Sequence, residues 1–149
     1  MIFFTSDHHF SHRNIIKYCS RPFQSIEEMD AEMARRWNEV VGPDDVVYYL
    51  GDFALSLEPV ERIARHLNGR KILVMGNHDL CHPLNKKKSE MGREGYLRAG
   101  FQEFLTDMIL PIAGQEVLLH HFPYAMIADQ YGGKYIQLRP KDLGKWLLC

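Results

Sequence analysis

The stretch Val46-Val47-Tyr48-Tyr49-Leu50-Gly51-Asp52 decides the fold. Its opening residues are apolar, β-branched or aromatic without a polar break, which reads as a buried strand, and a carboxylate waits directly at the strand's end. The same arrangement recurs on either side. Residues 2 to 6 form a short apolar run that ends at Asp7-His8-His9, and Lys71-Ile72-Leu73-Val74-Met75 ends at Gly76-Asn77-His78-Asp79. Between the first two runs, Ile26, Met29, Met33, Trp37 and Val40 or Val41 recur with helical spacing. Ser25 with Glu28 makes a capping box for that helix, and Gly42-Pro43 ends it. Between the second and third, Ser56 opens a helix carrying Val60, Ile63, Ala64 and Leu67 on one face, closed by Asn68-Gly69. The order β-α-β-α-β predicts an α/β protein with a sheet at least partly parallel, because right-handed crossovers lay successive strands side by side in one direction. All three strand C-termini then share one edge.

Further along, apolar segments 104 to 112 and 116 to 120 flank Ala113-Gly114 as a hairpin, the second ending at His120-His121. Residues 80 to 95 and 123 to 142 read as long loops, the latter carrying Tyr131-Gly132-Gly133-Lys134-Tyr135, and long loops often serve function. With 149 residues, 46% hydrophobic and 25% charged, a single domain over 1–149 is the expectation. The 18 basic residues are balanced by 19 acidic ones, so no global cationic field supports nucleic-acid binding. The N-terminus lacks a basic leader, and no run approaches the roughly 18 apolar residues of a membrane span, which makes the expected location cytoplasmic. Cys19, Cys81 and Cys149 are odd in number and form no C-x-x-C pair, so they read as reduced thiols.

The three strand ends carry the chemistry. In open α/β sheets, ligands bind in the crevice beyond strand C-termini, and here Asp7-x-His9, Gly51-Asp52 and Gly76-Asn77-His78-Asp79 converge on that place. Each motif alone is weak, and Asp52 by itself reads as a turn residue. Together they offer mixed oxygen and nitrogen donors without thiolate, which suits Mn, Fe, Zn, Ni or Co better than Ca or Mg. An aspartate between two ligand groups can bridge a pair of cations, and such a pair clamps both oxygens of an in-line phosphoryl displacement while generating a hydroxide nucleophile. His12, Arg13 and Asn14 follow the first motif closely enough to contact substrate, although a polar helix start explains them equally well. By strand alternation His8 points away from His9, and it reads as packed or solvated. His66 and His82 read as non-functional, and Lys86-Lys87-Lys88 as a solvated charge run.

These motifs, in this order, resemble the calcineurin-like metallophosphoesterases, whose pattern is D-x-H, G-D, G-N-H-D or G-N-H-E, a lone His, then G-H-x-H. The run Asp7-His8-His9-Phe10-Ser11-His12-Arg13-Asn14-Ile15-Ile16 is similar to that of the family's small phage and bacterial branch. The resemblance implies a β-sandwich flanked by helices with two divalent transition metals, manganese favoured, at the strand ends. It implies Asp7 and His9 as ligands of the first metal, Asp52 as the bridge, and Asn77 with the lone His as ligands of the second. That His is assigned to His121, since an aromatic and a proline follow it as Phe122-Pro123. It further implies that His78 protonates or stabilises the leaving oxygen, with Asp79 holding its ring.

The pattern departs from the family at its end. Lys145-Trp146-Leu147-Leu148 looks like the strand that precedes G-H-x-H, but no histidine follows His121. The expectation is a domain shortened at its C-terminus and lacking the last strands. Cys149 stands where the first missing histidine would, so its thiol or the terminal carboxylate offers a replacement ligand, and an ordinary terminal residue is the simpler reading. An exposed final strand also offers an edge for self-association. The sequence therefore points to metal-dependent hydrolysis of a phosphodiester or phosphomonoester, a nucleotide among the substrates that fit. The rival is a catalytically impaired remnant that binds metal or phosphate as a binding protein.

Overall fold

The computed structural model describes residues 1–125 and 135–149. Along the chain run β1 (Ile2–Thr5), α1 (Arg13–Tyr18), α2 (Ile26–Val40), β2 (Val46–Tyr49), α3 (Leu57–Ile63), β3 (Arg70–Val74), α4 (Lys88–Arg98), β4 (Phe101–Leu105), β5 (Asp107–Ile112), β6 (Gln115–His120) and β7 (Trp146–Leu148). Short 3₁₀ turns lie at Ala64–His66, Pro83–Asn85 and Ile136–Leu138. Strands β1 to β4 form one sheet in sequence order, parallel throughout, and β5, β6 and β7 form a second. In the second sheet β5 and β6 are antiparallel, while β7 runs parallel to β6.

Strand alternation divides the core in two. Val47, Tyr49 and Leu73 face the helices and pack with Trp37, Phe53, Val60, Tyr96 and Phe101. Tyr48, Leu50, Ile72 and Val74 face the other way, against Val117 and Leu119 of β6, with Met108, Leu110 and Ile112 of β5 around them. The result is a two-sheet sandwich with helices laid on one outer face, as the resemblance implies, and its first sheet is parallel, as the residue pattern predicts. Each large apolar side chain taken fully out of water here contributes roughly 1.5–3 kcal/mol.

Helix α2 forms where its signals place it. Ser25 accepts a hydrogen bond from the Glu28 amide at 3.1 Å, and the Glu28 carboxylate reaches back to the Gln24 amide at 2.8 Å, one residue earlier than in the usual reciprocal box. Its apolar stripe buries Met29 and Trp37, and the Trp37 indole N–H donates to the Asn68 carbonyl at 3.0 Å.

Two expectations are corrected. Residues 80 to 95 are not a long loop, because they hold a 3₁₀ turn and most of α4. The apolar segment 104 to 112 is not one hairpin arm. Its first residues complete β4 beside β3, the chain passes through Thr106, and only β5 pairs with β6. The final strand falls at Trp146–Leu148, within its expected stretch. Tyr131 to Lys134 of the anticipated functional loop lie outside the described residues. No helix among the described residues is long and apolar enough to cross a membrane.

Candidate metal centre

The C-terminal ends of β1, β2 and β3 meet at one edge, where the backbone departs from ordinary strand geometry at the residues singled out for chemistry. Asp7, His9 and Asp52 have φ of 55°, 51° and 61°, a left-handed conformation that L residues with side chains seldom adopt. Such strain persists where the surroundings over-determine it, and it concentrates at functional sites. Here the surroundings are ladder-like bonds between the first two loops: Asp7 N–H to the Gly51 carbonyl (2.9 Å), His9 N–H to the Asp52 carbonyl (3.1 Å) and Phe10 N–H to the Phe53 carbonyl (2.8 Å).

Two glycines make room for the approach. A Cβ on Gly76 would lie 2.2 Å from Asp52 Oδ1, and one on Gly51 would meet both the Gly76 nitrogen and His121 Nδ1 at 2.6 Å. The G-D and G-N-H-D spacing thus has a steric cause, since only glycine lets the two loops close around the Asp52 carboxylate.

Asp52 is buried and its two oxygens face different partners. Oδ1 accepts the His78 amide at 3.0 Å and lies 3.4 Å from His121 Nε2. Oδ2 lies 3.7 Å from His9 Nε2 and 4.0 Å from His78 Nε2. Asp7 Oδ1 approaches His9 Nε2 at 3.6 Å. Donor atoms of Asp7, Asp52 and His121 all lie within 4.8 Å of one another. Two ligands held about 2.1 Å from one transition metal lie about 3.0 to 3.4 Å apart, depending on geometry; the Asp52–His121 separation of 3.4 Å falls in that range, and the 3.6 and 3.7 Å separations at His9 are slightly wider. His121 is also set in the right tautomer. Its Nδ1 lies 2.8 Å from the Leu50 carbonyl, to which it donates, and this leaves the Nε2 lone pair turned toward Asp52. Asn77 follows Gly76 directly in the third loop, half-buried.

The neighbouring groups feel this polarity. Burial works against the charge of Asp7, but the facing His9, Ser6 and His121 outweigh it and hold the carboxyl below its ordinary range. His78 is exposed at the rim, its ring edge-on to His9 with centroids 5.5 Å apart. The His12 ring lies 5.8 Å from that of His9, and burial together with the charges of His9 and His78 pushes its pKa down. Buried His9 Nδ1 and His12 Nδ1 have no hydrogen-bond partner among the described residues. Arg13 and Asn14 are exposed in the first turn of α1.

Asp79 takes a different place from the one expected. Its buried carboxylate accepts from the backbone amides of Asp52 (2.9 Å), Phe53 (2.9 Å) and Gly76 (2.8 Å) and from the Tyr96 hydroxyl (2.7 Å). It therefore ties the second loop to the third rather than holding the His78 ring. Burial and the Asp52 charge raise its pKa, while these donors oppose the rise.

His8 is packed, as alternation predicts: its Nδ1 accepts from the Tyr49 hydroxyl at 2.8 Å and its ring stacks on Phe10. His82 was not legible as a neighbour of the site, yet it is buried and feels the charges of His121 and Asp52. Its Nδ1 accepts from the Leu84 amide at 3.0 Å. His66 offers its backbone carbonyl to Asn38. Burial and the Asp7 carboxylate push the Cys149 thiol up.

This set of donors, on a sandwich with helices outside, defines a metallohydrolase class, and comparison with known proteins agrees. The family model for calcineurin-like phosphoesterases matches residues 1–145, and the chain belongs to that family. A protein of Methanocaldococcus jannaschii is 46% identical over 81 residues, 52% of this chain and 46% of its own length. The Gene 66 proteins of Mycobacterium phages L5 and D29 are 32% and 31% identical, over 97% and 99% of this chain and 73% and 75% of theirs. A crystal structure of a protein from Aquifex aeolicus superposes with a TM-score of 0.68 at 32% identity, covering 93% of this chain and 67% of that one. The match thus spans about half the length of the archaeal relative. The phage relatives place the chain in a small phage and bacterial branch. The family is one of phosphoesterases.

Proposed function

We propose that this protein hydrolyses a phosphodiester or phosphomonoester at a dinuclear metal centre held by Asp7, His9, Asp52, Asn77 and His121. One observation carries the reading: the two oxygens of the buried Asp52 carboxylate face two different histidines, His121 at 3.4 Å and His9 at 3.7 Å. A carboxylate that divided has the geometry of a bridge. Manganese is the favoured metal among those that the oxygen and nitrogen donors suit. When bound, such a pair supplies Lewis acidity that activates water and neutralises charge on the phosphoryl oxygens.

The chain's own residues supply the rest. His78 is tethered through its amide to Asp52, while its imidazole reaches the solvent-facing rim, where it can donate a proton to the departing oxygen. His12 lies next to the same rim, and Arg13 and Asn14 extend the polar surface where α1 begins, positioned to hold a phosphoryl oxygen or the rest of the substrate. Asp79 fixes the two loops that carry Asp52 and His78.

Chelator-stripped protein should show no turnover of bis(p-nitrophenyl) phosphate or p-nitrophenyl phosphate, with activity returning on titration with manganese. Undiminished turnover in excess chelator after exhaustive dialysis would overturn the reading.

A further inference from the structure

We propose that Arg21 and Asp30 are positioning residues that clamp the Asp7–Ser11 loop from its two ends and thereby preset the metal ligands Asp7 and His9. The proposal rests on the metal-binding reading of those two residues. Three of five successive residues in this loop, Asp7, His9 and Ser11, have positive φ, at 55°, 51° and 59°. The bonds to the second loop account for one side of the segment. Arg21 and Asp30 hold the other.

Arg21 lies between α1 and α2. Its guanidinium donates from Nη2 to the Asp7 carbonyl at 2.7 Å and from Nη1 to the His8 carbonyl at 2.6 Å. A planar fork can span two neighbouring carbonyls, whereas a single ammonium cannot reproduce both bonds with the same geometry. The fork is itself held. Nη1 rests against the thioethers of Met29 and Met33 at 3.5 and 3.8 Å, and the Arg21 amide is bonded to the Ile16 carbonyl at 2.9 Å. At the other end, buried Asp30 of α2 accepts the Ser11 amide at 2.9 Å on Oδ1 and the Ser11 hydroxyl at 2.6 Å on Oδ2. Arg62 of α3 closes this jaw, reaching Asp30 Oδ2 at 3.1 Å and the Ser11 hydroxyl at 2.7 Å. Each jaw grips backbone that Asp7 and His9 cannot grip for themselves while their side chains face Asp52.

A clamp of this kind acts on metal affinity through loop order, because residues behind metal ligands typically tune affinity about 10 to 100-fold. Arg21→Lys keeps the charge and loses the fork; Arg21→Met keeps apolar contact with Met29 and Met33 and loses every donor. Asp30→Asn weakens the opposite jaw. Val60→Ala, in the core cluster that also holds Phe10, lowers stability while removing no hydrogen bond to the loop, and it serves as the control.

The full-length variants are compared by calorimetric titration with Mn²⁺ and by amide hydrogen exchange. Both Arg21 variants and Asp30→Asn should bind Mn²⁺ about 10-fold or more weakly than wild type. The amides of Asp7, His9 and Phe10 should exchange about 10-fold faster in them, with β2 and β3 unchanged. Val60→Ala should show neither effect. Wild-type affinity and wild-type exchange at these amides in Arg21→Met, or an equal affinity loss in Val60→Ala, would overturn the clamp. If the wild type itself bound no Mn²⁺, the proposed function would fail separately, and exchange at the three amides would still decide the clamp: selectively faster in Arg21→Met supports it, unchanged overturns it.

Discussion

At the residue scale, the positions that matter differ in what their environments ask of them. Asp52 is buried and His121 half-buried with a largely covered side chain, their facing atoms turned to one another, whereas His78 shares the Asp52 loop contacts but keeps its ring at the surface. That division predicts that His78→Ala will keep its metal, measured by elemental analysis after gel filtration, while turnover falls about 10²- to 10⁴-fold. An emptied site in His78→Ala would reassign His78 to metal binding. His8 yields a prediction about pH. Burial first, and the Arg21 charge second, push its pKa from 6.5 down to about 4, so the folded state holds it neutral. Below the unfolded value the unfolded chain takes up a proton that the native chain refuses. The stabilising contribution is therefore present above about pH 6.5 and is lost as pH falls toward 4. His8→Asn keeps an acceptor for Tyr49 and does not titrate. Urea unfolding of the metal-free proteins should show the wild type losing stability relative to this variant across that window, and parallel pH profiles would contradict it.

At the element scale, legibility depended on whether an element announces itself by apolar periodicity. Strands β1, β2 and β3 do, and so does α2, whose Ser25 cap is the one the sequence marks. Ser25→Ala should lower unfolding free energy by about 1 kcal/mol in urea titration while leaving manganese affinity unchanged. A change in affinity would mean that α2 is coupled to the site through more than the contacts of Asp30, Met29 and Met33. Helix α4 was hidden because two of its inward positions are glycines. A Cβ on Gly92 would lie 2.5 Å from the backbone carbon of Leu80, and one on Gly95 would lie 2.7 Å from Leu57 Cδ2, so close approach replaces the apolar side chains that mark a helix. The split of segment 104 to 112 between two sheets was equally invisible, since both strands bury apolar residues and only the pairing partners distinguish them. The meeting of Asp7, His9 and Asp52 at one sheet edge was legible from motif and strand order, and that of His121 with them from the family pattern. Asp79 was read as the partner of the His78 ring, and Arg21 and Asp30 were not singled out, because their work is hydrogen bonding to backbone groups far away in sequence, which leaves no local pattern.

At the scale of the whole molecule, the sandwich explains why residues from both sheets can share one centre. Asp7, Asp52 and Asn77 follow the parallel strands of the first sheet, and His121 follows β6 of the second, so the sheets must be packed before all the proposed ligands meet. Metal binding and folding are then linked, and bound metal should raise stability by about 2.7 kcal/mol at a hundredfold excess over Kd. In the proposed function a bridging Asp52 gathers these residues into a working dinuclear centre. The measurement that tests it most directly is manganese titration of stripped wild type and Asp52→Asn by calorimetry, with phosphodiester and phosphomonoester turnover followed on the same samples. The account predicts that the wild type binds two ions per chain with turnover rising in parallel, and that Asp52→Asn loses metal and turnover together. Metal bound by Asp52→Asn with the stoichiometry and affinity of the wild type would contradict it.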